Sequence, residues 1–222
     1  MALPPRQLAL ALDHAEKLSR EDFLPGPPNE AAFAMIERWP DWPAHTLAIS
    51  GPEGSGKSHL ASIWADMSGA RVVSARALQT PMLPEALATG ALVLEDCLSG
   101  SFDERAFFHL LNLVREQDAY LLITGRALPA SWNVELPDLA SRLRAVPAIP
   151  LSMPDDALLR AVMVKLFTDR QLAVDENLIR FLLTRVGRSF AAVQATVRTL
   201  DLEALQRKRP VNRALAAELF RE

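Results

Sequence analysis

The chain has 222 residues, enough for one sizeable core and a small second domain. Hydrophobic residues make up 50%, charged residues 23%, and the formal net charge is −3, a globular balance that argues against a chain devoted to non-specific nucleic-acid binding. The single cysteine, Cys97, excludes an internal disulfide framework or a multi-cysteine zinc site and fits a reducing cytoplasm.

Residues 1–20 read as a tail. One arginine precedes a short apolar run, Gln7-Leu-Ala-Leu-Ala-Leu12, and a charge-rich stretch follows from Asp13 to Glu21. The run is too short and too lightly flanked for a signal peptide, and nothing in the chain approaches the ~20 apolar residues of a membrane span.

Residues 21–150 alternate strand and helix patterns. Apolar runs predict strands at Thr46–Ser50, Arg71–Ser74, Ala91–Glu95, Tyr120–Thr124 and Val146–Leu151. Helical patterns lie between them, over Lys57–Met67 and over Phe102–Gln117, where Phe107, Leu110, Leu111 and Val114 share one face. Short apolar strands interleaved with helices imply an α/β fold: a five-stranded parallel sheet covered by helices on both faces. From 151 to 222 the strand patterns vanish. Helices are expected from Pro154-Asp-Asp156, from Asp175, from a Ser189 cap and from Pro210, giving a small all-helical lid domain.

The chemistry concentrates at Gly51-Pro52-Glu53-Gly54-Ser55-Gly56-Lys57-Ser58, which matches G-x-x-x-x-G-K-[ST] between a predicted strand and a predicted helix. Glycines at this spacing let backbone N–H groups wrap a polyphosphate at a helix N-terminus. Lys57 is expected to reach the distal phosphates, and the Ser58 hydroxyl to ligate Mg²⁺. The candidate nucleotide contacts are Gly51, Gly54, Ser55, Gly56, Lys57 and Ser58, with ADP or ATP as the ligand. The third strand ends in Glu95 and Asp96. After such a loop, an apolar strand ending in carboxylates reads as a source of one acid for Mg²⁺, here Glu95, and one to orient water, here Asp96.

A phosphate-loop α/β domain followed by a helical lid resembles the AAA+ superfamily. Two segments narrow the resemblance to its DnaA-related members. Leu136-Pro-Asp-Leu-Ala-Ser-Arg-Leu143 is similar to the arginine-finger segment of the Hda family, short DnaA homologues that switch off the bacterial replication initiator. Gln7, Leu8, Leu10 and Leu12 resemble the motif by which that family binds the DNA polymerase III sliding clamp. Phe23-Leu-Pro-Gly26 is similar to its adenine-side segment. The resemblance spans nearly the whole chain. It implies an adenine nucleotide, a clamp-docking tail, indirect contact with DNA through the clamp, and Arg142 as a finger toward ATP held by the DnaA initiator, with Arg144 as the neighbouring alternative. It leaves self-assembly open. An initiator of this kind continues into a helix-turn-helix domain, which is not expected here.

Three positions depart from that pattern. Glu95 stands where aspartate is usual, Arg126 where an acidic residue is usual, and Ala191 where the lid carries an arginine. Thr124 is left as the polar sensor candidate, and Arg188, a turn before Ala191, as a substitute for the missing arginine. These departures imply little hydrolysis by the chain itself. Without the resemblance, the tail reads as a segment packed on its own domain, and Arg142 as a solvated helix-end arginine. The competing functional class is a DNA-associated AAA+ loader or anchor. Trp39 and Trp42 would be its base-stacking candidates, but they read better as packing residues.

Overall fold

The computed structural model describes residues 18–220. Five strands form one sheet: β1 (Thr46–Ser50), β2 (Arg71–Ser74), β3 (Ala91–Cys97), β4 (Tyr120–Gly125) and β5 (Ala148–Pro150). Their order is β2-β3-β4-β1-β5, and every pairing is parallel. Parallel neighbours need long crossovers, and helices supply them. These are α2 (Lys57–Ser68), α3 (Leu83–Ala86), α4 (Glu104–Glu116) and α5 (Pro137–Ala145), with α1 (Glu30–Glu37) ahead of β1.

The three middle strands are buried on both faces, so their apolar residues run on without a break. Period-two alternation sorts them. Leu47, Ile49, Val93 and Leu122 face one side and pack with Ile36 of α1 and Leu60, Ile63 and Trp64 of α2. Ala48, Leu92, Leu94, Leu121 and Ile123 face the other, against Phe107 and Leu110 of α4 and Leu139 and Leu143 of α5. Trp42 stacks on Trp64 at 4.9 Å between ring centroids, and Trp39 meets the same ring edge-on. The tryptophans are therefore packing residues and offer no stacking platform.

A third core belongs to the helices that follow: α6 (Asp156–Asp169), α7 (Glu176–Leu183), α8 (Phe190–Arg207) and α9 (Arg213–Leu219). Each opens on a capping side chain that accepts an orphan amide. Asp155 takes Leu158 N–H, Asp175 takes Leu178 N–H, Ser189 takes Ala192 N–H and Asn212 takes Leu215 N–H. The last helix thus starts from Asn212 and not from Pro210: the amide side chain satisfies a free N–H, which proline cannot do. Among the described residues no helix is long and apolar enough to cross a membrane.

Candidate functional site

Three strand ends meet at one edge of the sheet. β1 runs out at Ser50, and the loop Gly51–Gly56 turns the chain into α2. Gly54 and Gly56 hold φ of +78° and +97°, values that exclude most side chains. A Cβ on Gly51 would lie 2.7 Å from the Leu151 carbonyl oxygen, so the loop root is close-packed against the start of the helical region. Gly51 N–H donates to Gly125 O at 3.1 Å, tying the loop to the end of β4. The first turn of α2 carries no acidic residue. Its unpaired amides and dipole are left for an anion.

Lys57 lies at the centre of this arrangement. Its Nζ donates to the loop carbonyls of Gly51, at 2.9 Å, and Pro52, at 2.7 Å. Burial pulls the ammonium below its ordinary range, and Arg126 pushes the same way, while Asp96, Glu53 and Glu95 pull it back. Ser55 is 1% exposed, yet its hydroxyl has no hydrogen-bond partner among the described residues.

The two carboxylates at the end of β3 divide. A register shift between Leu94 and Cys97 and a left-handed Asp96, at φ 57°, break the alternation. Asp96 lines a cavity of about 1040 Å³ together with Lys57, Ser58 and Arg126. Glu95 faces a second cavity of about 490 Å³ beside α2, and Ser58 borders both. Burial pushes the Glu95 carboxyl above its ordinary range, and the Ser58 hydroxyl pulls it back. Glu95 Oε1 is buried with no partner among the described residues. An orphaned carboxylate oxygen next to a hydroxyl is the donor pair that a phosphate-bound Mg²⁺ would use, so Ser58 and Glu95 fit the ion. Among the described residues no three His, Cys, Asp or Glu side chains gather to hold a metal, so the fit needs phosphate oxygens as well.

Thr124 is buried and does not line the larger cavity. Its hydroxyl accepts from Asp96 N–H at 3.3 Å, which makes it a brace for that carboxylate. Arg188 does not line the cavity either: its guanidinium pairs with Asp156 at 2.5 Å.

The remaining walls come from residues distant in sequence. Phe23 stacks on Phe33 at 4.9 Å and meets His59 edge-on at 5.1 Å. His59 Nε2 lies 2.8 Å from Ser19 O, so that nitrogen carries the ring proton. Asp22 accepts from Lys165 of α6 at 2.8 Å, a contact that holds its carboxyl below the usual range. From α8, Phe190 approaches Gly56, and Ser189 lies over Gly54. Phe23 was legible in the sequence; the contributions of Lys165, Ser189 and Phe190 were not, because they depend on how α6 and α8 pack.

Arg142 is elsewhere. It sits on α5, does not line the cavity, and its guanidinium lies 4.7 Å above the Phe108 ring of α4. Both residues are half-buried, and contacts of this kind contribute from about 0.5–1 kcal/mol when exposed to about 2 kcal/mol when desolvated. The Glu104 carboxylate accepts from Glu135 and Leu136 N–H, both within 2.9 Å, and fixes the entry to α5. Leu139 and Leu143 anchor the helix to the core. Gln7, Leu8, Leu10 and Leu12 lie outside the described residues.

No family model matches the chain. Solved structures do. Domain III of the Thermotoga maritima replication initiation protein DnaA superposes with a TM-score of 0.78 at 18% identity, over 92% of this chain and 95% of that one. The chain shares the fold of that DnaA domain. A replication initiator DnaA bound to AMPPCP and single-stranded DNA gives 0.69 at 20% identity, covering 87% of this chain and 68% of that one. The Thermotoga maritima RuvB Holliday junction branch migration motor gives 0.73 at 13% identity, covering 90% and 70%.

Proposed function

We propose that this chain is a nucleotide-dependent regulator of replication initiation of the Hda kind, acting in the cytoplasm. It binds ADP or ATP in the cavity between the sheet edge and the helices of 151–222. Its tail, through Gln7, Leu8, Leu10 and Leu12, docks on the DNA-loaded sliding clamp. It then offers Arg142 to ATP held by the DnaA initiator, which hydrolyses that ATP and becomes inactive.

The observation that carries this reading is the separation of the two cations. Lys57 lines the cavity, and Arg142 stands outside it on the Phe108 ring. A guanidinium off its own nucleotide site is suited to a neighbour's phosphate, where it stabilises developing charge. Within the chain's own site, Lys57 and the loop amides would cradle the phosphates, and Ser58 with Glu95 would hold Mg²⁺, which supplies charge neutralisation when bound. Asp96, braced by Thr124, is the group positioned to hold a water. The nucleotide-bound DnaA structure supports the ligand class by analogy of fold.

The test is ATP turnover by the cognate initiator on clamp-loaded DNA, with and without this protein. Acceleration is expected. It should vanish when residues 1–12 are deleted, because the clamp is then no longer engaged. Unchanged initiator turnover would remove the regulatory reading.

A further inference from the structure

Arg126 follows the last residue of β4, and its root is fixed by the Gly51 N–H bond to Gly125 O. Its Nη2 lies 2.7 Å from Oε2 of Glu53, a residue of the phosphate loop itself. The side chains are 62% and 82% exposed, so the pair is an outer one, of the class that contributes about 0–1 kcal/mol. Both residues line the cavity that holds Lys57, and Arg126 is close enough to disfavour the Lys57 charge. A carboxylate on the rim of a phosphate site repels the ligand. A guanidinium held by that carboxylate sits where a polyphosphate would compete for it.

The competition favours the ligand. Phosphate oxygens offer a planar fork two parallel acceptors and more charge than one carboxylate. On the helical side Lys165 and Arg170 also line the cavity, but Lys165 is held by Asp22 and Asp169 and Arg170 by Asp201 and the Leu166 carbonyl. Ala191 lines the cavity without a charge, and Arg188 is held by Asp156 off the cavity. We propose that Arg126 is a phosphate-binding residue of the chain's own nucleotide site, exchanging Glu53 for the distal phosphates. It thereby selects nucleoside di- and triphosphates over monophosphates. The proposal rests on the nucleotide reading above and adds a residue and a selectivity to it.

The experiment is calorimetric titration of the full chain with AMP, ADP and ATP. Arg126→Ala is expected to weaken ADP and ATP roughly tenfold while leaving AMP unchanged, and Arg126→Lys to recover only part of the loss. The double variant Glu53→Gln/Arg126→Ala separates direct contact from neutralisation of Glu53. It should stay as weak as Arg126→Ala. Recovery of wild-type affinity in the double variant, or wild-type ADP and ATP affinity in Arg126→Ala, overturns the proposal. Equal loss for AMP does so too, since it would show a general disturbance of the site. If the wild type binds none of the three nucleotides, the nucleotide reading itself fails and takes this inference with it.

Discussion

Lys57 and Arg142 are both cations carried on helices packed against the same sheet, but on opposite faces of it. Lys57 is half-buried, desolvated and bonded to two carbonyls of its own loop. Arg142 rests on an aromatic ring, with its helix anchored beneath it by two leucines. The first lines the cavity at the sheet edge. The second lies off that cavity and, on the function proposed above, would meet a phosphate only on another molecule. Charge alone does not distinguish these positions, and neither does burial, since both residues are half-buried; the side of the sheet and the neighbouring groups do.

The sharpest way to break this comparison is to remove one cation and measure the other's task. Arg142→Ala is expected to leave ADP affinity at the wild-type value while stimulated initiator turnover falls by about 10³-fold or more. Arg142→Lys should fail as well, since an ammonium matches two phosphate oxygens less well than the planar guanidinium fork does. Near-normal stimulation by the alanine variant would move attention to Arg144.

Lys57→Ala gives the converse. Nucleotide affinity measured by calorimetry is expected to drop about 100-fold, from the loss of charge-assisted contacts to phosphate. Unchanged ADP affinity would remove the cavity as the nucleotide site.

A smaller effect tests whether the helical region truly rests on the loop. Gly54 has φ +78°, and a Cβ there would lie 2.6 Å from Ser189 Cβ. Gly54→Ala is expected to cost about 1–2 kcal/mol from the left-handed backbone, seen as a melting temperature roughly 2–8 °C lower. An unchanged melting temperature would mean that in solution Gly54 is neither left-handed nor packed against Ser189.

The smallest effect concerns Glu95. Burial raises its carboxyl above the ordinary 4.5. In that window the folded chain keeps a proton that the unfolded chain has lost, so stability falls as pH rises from about 4.5 through the raised value. Glu95→Gln removes this slope. In nucleotide-free protein with chelator present, the variant should match the wild type near pH 4 and exceed it at pH 7 in thermal melts. A variant that is less stable at pH 7 would show that the fold favours the charged carboxylate.

The sequence by itself determined the features that are local. β1 and β2 have the bounds that their apolar runs predict, and the phosphate loop lies between a strand and a helix as its spacing demands. Asp175 and Ser189 cap helices because a side-chain oxygen three residues before a free amide needs no tertiary partner. Short elements without such caps escaped. α1 and α3 have no side-chain cap; Ala32 and Ile36 hold α1 through burial against the sheet, and Leu83 and Ala86 hold α3. Only the tertiary structure decided which acid faces which cavity, because the bulge at Asp96 breaks the alternation that a strand pattern assumes. It alone brought Lys165 to Asp22 and Phe190 to Gly56 across more than a hundred residues of chain. Such contacts depend on how separate helices pack, and a side chain's chemistry says nothing of the distant neighbour it will meet.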